Sequence, residues 1–324
     1  MLFFFNGTLF HLIIFAKKIP MLKLNVTNET SRLRAVVLGR AKSNGPAPTL
    51  EEAYDPKSIQ HIKAGTYPKV EDMVEEMNAV AKVLEKYDVQ VFRPTIIKDY
   101  NQIFSRDIAF VIDDKMVIAN ILPDRAKEIE AIEHVWSQVP KENRIKLPKE
   151  AHVEGGDVML YDDYIFIGTY RGEDYPSYIT ARTNMKAVEA LTDLFPNKTV
   201  KSFNLRKSNT IPQDNALHLD CCFQPVGKGK AIIHQNGFLE AEEYEWLVNF
   251  FGKDNVFEIT KEEMYHMNSN IFSISEDVVI SEKNFTRLNT WLRAQGITVE
   301  EVPYAEIAKQ EGLLRCSTMP LIRD

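Results

Sequence analysis

IAFVIDDKMVIAN, residues 108–120, sets two short apolar, β-branched runs on either side of Asp113-Asp114. Apolar runs of this length around a turn pair predict a β-hairpin. DVMLYDDYIFIG (157–168) repeats the pattern around Asp162-Asp163. HLDCCFQPVGKGKAIIH (218–234) turns at Gly227-Lys228-Gly229, and NIFSISEDVVIS (270–281) makes a fourth. Behind each hairpin the period lengthens toward that of a helix, near 124–138, 177–195, 240–251 and 282–295. After the last three helices a short strand closes the unit: TVKSFNL (199–205), VFEIT (256–260) and ITVEEVP (297–303). The units begin near 108, 157, 216 and 270, a spacing of about 50–60 residues, and a repeated architecture outweighs any single element.

The remaining pieces build a fifth unit. LRAVVLG (33–39) reads as a strand. In residues 67–87 Pro68 suits a first helical turn, and Val70, Met73, Val74, Met77, Val80, Ala81 and Leu84 recur at three and four, giving a helix with one apolar face. VQVFRP (89–94) is a strand, and the terminal run RCSTMPLI (315–322) is a partner for 33–39. A chain whose last strand pairs with its first closes a ring, so the expected fold is α/β: five ββαβ units around a pseudo-fivefold axis. No Gly/Ser/Pro-rich linker interrupts the chain after residue 65, which makes 21–324 a single domain. The segment 43–66, with its prolines and glycines, reads as a long loop, and loops of that length often act as lids.

Residues 1–20, MLFFFNGTLFHLIIFAKKIP, stand apart. Their apolar stretch is about 16 residues, short of the roughly 20 needed to span a bilayer. They lack a basic start and a small-residue cleavage site. The expectation is an extension outside the fold, with no stable membrane insertion. Over the whole chain 44% of residues are hydrophobic and 26% charged, and the formal net charge is −7. No basic run offers a nucleic-acid surface. Three cysteines, an odd number, fit a reducing cytoplasmic setting better than a disulfide framework.

Chemistry-bearing residues sit at the start of each hairpin: Arg106-Asp107, Glu154-Gly155-Gly156-Asp157, His218-Leu219-Asp220, Asn268 and Asn270, and Cys316. In a cyclic array equivalent positions meet near the axis. One histidine, one cysteine and several carboxylates admit a metal site, yet zinc favours more His and Cys at short spacing; the expectation is no metal and no cofactor. A thiolate acting on a cation explains more of the set. Carboxylates alone oppose ionisation of Cys316, and a planar guanidinium gripped in bidentate fashion supplies the reason for their presence. His218, Arg315 or the bound cation itself then stabilises the thiolate. Cys221 and Cys222 alternate faces if 218–226 is strand, with no task assigned to either.

FSRD (104–107), EGGDV (154–158), HLD (218–220) and RCSTMPLIRD (315–324) occur in this order, and the set resembles the guanidino-group-modifying enzymes, or penteins: arginine deiminases, dimethylarginine hydrolases and amidinotransferases. The resemblance covers about residues 30–324 and implies a five-bladed α/β propeller. It implies Cys316 as nucleophile, His218 as general acid and base, and Glu154 as the carboxylate orienting it. Asp107 and Asp220 would hold the guanidinium. ARTN (181–184) makes Arg182 a candidate anchor for a substrate carboxylate, with Arg106, Asp157 and Phe104 as further substrate contacts. The implied partner is a small arginine-like guanidino compound, and a homo-oligomer is compatible with this reading. The expected reaction is hydrolysis of arginine to citrulline and ammonia through an amidino-cysteine. The alternatives are amidino transfer to an amine and dimethylarginine hydrolysis. A non-catalytic binding module on the same scaffold would lack the nucleophile or the acid/base residue, and this sequence keeps both.

Overall fold

The computed structural model describes residues 21–324; the expectation for residues 1–20 lies outside the described residues. Strand β1 (Leu33–Leu38) is followed by helices α1 (Pro56–Lys63) and α2 (Val70–Lys86) and by β2 (Gln90–Phe92). Three units follow with the same plan. They are β3 (Ala109–Ile112), β4 (Lys115–Ile118), α3 (Lys127–Glu130), α4 (Glu133–Trp136) and β5 (Arg144–Lys146); β6 (Val158–Tyr161), β7 (Tyr164–Thr169), α5 (Met185–Leu194) and β8 (Thr199–Asn204); and β9 (Phe223–Val226), β10 (Lys230–Ile233), α6 (Ala241–Phe251) and β11 (Val256–Glu258). After α7 (Lys261–Tyr265) come β12 (Phe272–Ser275), β13 (Val278–Glu282), α8 (Thr286–Ala294) and β14 (Thr298–Val302), and β15 (Thr318–Arg323) ends the chain.

These strands form five three-stranded sheets of one design: an antiparallel pair plus a parallel third strand. In four of them the pair is a hairpin. In the fifth β15 lies antiparallel to β1, with Leu38 opposite Thr318 and Val37 opposite Met319. The last strand therefore joins the first sheet, and the fold is a five-bladed α/β propeller. Helix α2 packs the face read from its periodicity: Met73, Met77, Val80 and Leu84 are each at most 1% exposed. Asp113 and Asp162 take left-handed φ values of 53° and 50° at the hairpin turns, a conformation Asp tolerates better than most residues.

Several elements differ from the sequence reading, each for a local reason. The stretch 124–138 is not one helix. It starts as a 3₁₀ turn at Pro123–Arg125, and the N–H groups of Ile129, Ala131 and Ile132 bond three residues back, so it breaks into α3 and α4. The helix expected at 177–195 begins only at Met185, because the Asn184 side chain caps it by accepting from the Ala187 N–H. Residues 43–66 are not all loop: Asp55 caps α1 inside them. Strand β5 and the capping-box helix α7 went unread. The HLDCC segment is a 3₁₀ turn over Leu219–Cys221 rather than strand, so Cys221 and Cys222 do not alternate on a sheet; both are buried. Arg315 and Cys316 also precede their strand, in a turn closed by bonds from Ser317 N to Leu313 O and from Thr318 N to Arg315 O.

Candidate active site

The ends of five strand pairs converge. Asp107 stands two residues before β3, Glu154 just ahead of the 3₁₀ turn that leads into β6, His218 ahead of the turn leading into β9, Asn270 before β12 and Cys316 before β15. Turns rather than strands hold these residues, which lets each side chain leave the sheet plane toward the axis. The Cys316 thiol, a His218 ring nitrogen and an Asp220 carboxylate oxygen all lie within 4.8 Å of one another.

Two glycines make this approach feasible. A Cβ on Gly155 would come within 2.0 Å of the Arg106 carbonyl oxygen. A Cβ on Gly156 would come within 2.6 Å of His218 Nδ1 and 3.0 Å of Asp107 Oδ1. The imidazole Nε2 lies 2.8 Å from Glu154 Oε2, whereas Nδ1 is buried without a hydrogen-bond partner, 3.8 Å from Asp107 Oδ1. Burial opposes protonation of His218, but Asp107, Glu154 and Asp157 outweigh it and hold its pKa above the ordinary 6.5.

Glu154 is fully buried and shared. Besides His218 it accepts from Arg182 Nη1 at 3.1 Å and from Arg125 Nη1 at 3.3 Å. Burial alone would raise its pKa; the Arg182 charge, the His218 bond and Arg125 reverse this and hold it well below the usual carboxylate range. Arg182 spends Nε on the Ile179 carbonyl and Nη2 on the Tyr54 carbonyl, both at 2.7 Å. Arg125 donates to Asp107 at 2.8 Å and grips Glu128 with two bonds of 2.7 and 3.0 Å.

Around Cys316, Asn270 Nδ2 donates to Sγ at 3.1 Å, and Asn270 Oδ1 accepts from the N–H groups of Arg315 and Cys316 at 2.9 and 3.2 Å. Asp220 Oδ2 is 3.5 Å from Sγ. Arg315 turns away from the sulfur. It pairs with Asp220 at 3.0 Å and with Glu29 at 3.0 and 3.2 Å, and bonds the carbonyls of Gly156 and Val158. Arg106 braces the same turn, its N–H on the Cys316 carbonyl at 2.9 Å and Nε on the Arg315 carbonyl at 3.3 Å. Burial, then the charges of Asp220 and Asp107, push the Cys316 thiol well above its ordinary value, with Asn270 pulling the other way.

A cavity of about 140 Å³ opens on this cluster. Phe104, Asp107, Arg125, Arg182, His218 and Cys316 line it, and residues from Asn44 to Ser58 form one wall. The segment 43–66 thus contributes a wall of the pocket. Arg106, Glu154, Asp157 and Asp220 stand behind the lining. Phe104 seats its ring against Gly312, where a Cβ would come within 2.4 Å. Asp157 accepts the Leu219 N–H at 2.9 Å and so fixes the turn carrying His218. Arg125, Glu29 and the direct Asn270 contact to sulfur were missed. Only Asn270 carried a signal, its position at a hairpin start. His218 with Asp220 and Cys316, or with Asp107 and Glu154, offers three metal-type donors. The carboxylates in both sets are already paired with Arg125, Arg182 or Arg315, so a dication there would face a guanidinium.

Residues 57–323 match the family described as N,N dimethylarginine dimethylhydrolase, eukaryotic. The uncharacterized protein YkgA of Bacillus subtilis is 29% identical over 224 residues, covering 68% of this chain and 70% of YkgA. Arginine deiminase of Bacillus cereus is 28% identical over 268 residues, covering 69% of this chain and 62% of the deiminase, less than two thirds of its length. Among solved structures, the N-terminal domain of ArgZ, a cyanobacterial arginine dihydrolase bound to substrate, has a TM-score of 0.73 at 15% identity over 89% of this chain and 98% of that one. The inosamine-phosphate amidinotransferase StrB1 of Streptomyces griseus has a TM-score of 0.71 at 14% identity, covering 93% of this chain and 97% of its own. With a family match across most of its length on a five-bladed frame, the chain belongs to the dimethylarginine dimethylhydrolase family of the guanidino-modifying penteins.

Proposed function

We propose that this enzyme hydrolyses the guanidinium group of arginine or a close relative through a covalent amidino-cysteine, with citrulline and ammonia as the products from arginine. The observation that carries this reading is the placement of the Cys316 sulfur, a His218 ring nitrogen and an Asp220 carboxylate oxygen within 4.8 Å of one another, with Glu154 bonded to the ring at Nε2. Burial, then the Asp220 and Asp107 carboxylates, favour the protonated thiol. A guanidinium seated against Asp107, with Asp220 behind the sulfur, offsets their charge and favours the thiolate. The thiolate adds to the guanidinium carbon. His218, whose pKa Asp107 and Glu154 raise against the effect of burial, gives its proton to the departing nitrogen, the C–N bond breaks and ammonia leaves. Neutral His218 then takes a proton from water, whose oxygen adds to the amidino carbon. The C–S bond breaks and the ureido product departs.

Asp107 and Phe104 contact substrate in this scheme. Asp220 acts from behind the sulfur, and Asp157 and Arg106 hold the turns of His218 and Cys316. Arg182 keeps a secondary role beside the substrate tail, because it lines the pocket. The family match also favours a second reading, in which the leaving group is a methylated amine.

Mass spectrometry of products from arginine, dimethylarginine and related compounds tests the proposal. Ammonia and citrulline support it, dimethylamine supports the second reading, and ornithine formed only with an added amine means amidino transfer. Cys316→Ser should abolish turnover while leaving the thermal midpoint within a few degrees. Turnover that survives this substitution removes the mechanism.

A further inference from the structure

The pocket holds a second charged pole that the chemistry at Cys316 does not use. Asp55 caps α1, its Oδ1 accepting from the Ser58 N–H at 2.7 Å. Glu311 stands just ahead of Gly312, and its Oε1 accepts from Asn215 Nδ2 at 2.7 Å. Both carboxyls line the same cavity as Cys316, and they are only 4% and 3% exposed. The Asp55 carboxyl is near enough to bear on Glu311 electrostatically, and Glu311 Oε2 is buried with no donor. Two buried carboxylates near one another repel unless one takes a proton or a cation enters between them. Burial first, then the Asp55 charge, accordingly push Glu311 well above the usual carboxylate range. Lys57 bears on both carboxyls through its charge but makes no hydrogen bond to either: its Nζ donates to the Tyr265 carbonyl at 2.5 Å, and the side chain lines a neighbouring cavity. Arg125 and Arg182, on the wall of the pocket, are spent on Asp107, Glu128, Glu154 and backbone carbonyls. Glu52 and Asp99 add further negative charge to the lining.

We propose that Asp55 and Glu311 form an ammonium-binding subsite, so that the substrate is a guanidinoalkylamine whose second anchor is its amine rather than a carboxylate. The proposal rests on the guanidinium reading of the Cys316 site and adds to it what holds the other end of the substrate. An ammonium carries the donors that Glu311 Oε2 lacks, and its charge allows both carboxyls to ionise.

Three probes separate the anchors: arginine with amine and carboxylate, agmatine with the amine alone, and δ-guanidinovalerate with the carboxylate alone. Turnover of arginine and agmatine is expected, with kcat/KM for δ-guanidinovalerate lower by about 10²-fold or more. Glu311→Gln, and separately Asp55→Asn, should shrink that discrimination to a few-fold, with thermal melts confirming the fold of each variant. Calorimetric binding of the three probes to Cys316→Ser supplies a second readout. Equal turnover of δ-guanidinovalerate and agmatine, or discrimination unchanged in both carboxyl variants, overturns the proposal. No turnover of any probe, with amine-dependent binding intact, brings down the hydrolysis reading and leaves the subsite standing. Loss of both turnover and amine-dependent binding brings down both.

Discussion

Gly156 packs against the imidazole of His218, and a methyl group on its Cα would come within 2.6 Å of Nδ1 and 2.7 Å of Cγ. The ring is pinned on its other side by Glu154 at 2.8 Å, so it cannot retreat without losing that bond. Gly156→Ala is expected to cost about 1–3 kcal/mol of stability, the usual range for overpacking, and to lower kcat by roughly 10²-fold as the proposed general acid is displaced. Denaturant unfolding and steady-state kinetics on one preparation check both. A variant with wild-type kcat would mean that the ring position does not matter.

The two titrating groups of the site move in the same direction for different reasons. Burial and the charges of Asp220 and Asp107 raise the Cys316 thiol, so the empty protein should show its thiolate absorbance, taken as the difference from Cys316→Ser, only above the ordinary cysteine range near ~8.5. A bound guanidinium should bring that transition down. Appearance of the thiolate at neutral pH without any ligand would contradict this account.

His218 has a folded-state pKa above its unfolded value, because Asp107 and Glu154 outweigh burial. The folded protein therefore binds this proton more tightly than the unfolded chain. The stability it contributes is fully present below the unfolded pKa near 6.5 and is lost as pH rises through the raised folded value. The thermal midpoint of the wild type relative to His218→Gln should thus be higher at about pH 6 than at about pH 9. An advantage that grows toward alkaline pH would reverse the sign and refute the assignment.

Glu154 neutralises two buried arginines while it orients His218. In Glu154→Gln both guanidiniums lose a charged partner in a dry site, which ordinarily costs about 3–5 kcal/mol. The variant should unfold at lower denaturant, and its His218 pKa, read by NMR, should drop. A pKa unchanged in a folded Glu154→Gln protein would show that Asp107 and Asp157 set the histidine without Glu154.

Much of this site was legible because its residues occupy equivalent positions of a repeat. Asp107, Glu154, His218 and Cys316 each precede a hairpin or strand of known period, and ring closure brings such positions together whatever the local details. What escaped has no periodic signature. Arg125 sits in a segment whose bonding falls into short turns, and Glu29 precedes the first strand in an irregular stretch. Both matter only because distant charges meet them. The turns at Leu219–Cys221 and around Cys316 carry a strand-like apolar pattern because their apolar residues are buried; burial there serves the convergence of the turns rather than a sheet face.

Arg315 adjoins Cys316 in sequence yet turns its guanidinium away from the sulfur, and its contacts say what it does there. Its guanidinium makes two bonds to Glu29, one to Asp220 and two to the carbonyls of Gly156 and Val158, with no exposed surface. It fixes the turn of Cys316 and balances Asp220 behind the sulfur. Lysine keeps the charge but offers donors from a single point, so Arg315→Lys cannot serve Glu29 and Asp220 together and should lose about 3–5 kcal/mol. Adding Glu29→Gln removes the carboxylate left unpaired. The double variant should therefore be destabilised by less than the sum of the single effects, with a coupling on the order of 1 kcal/mol or more in a double-mutant cycle read by denaturant unfolding. Simple additivity would mean that Arg315 holds this turn through its backbone contacts alone.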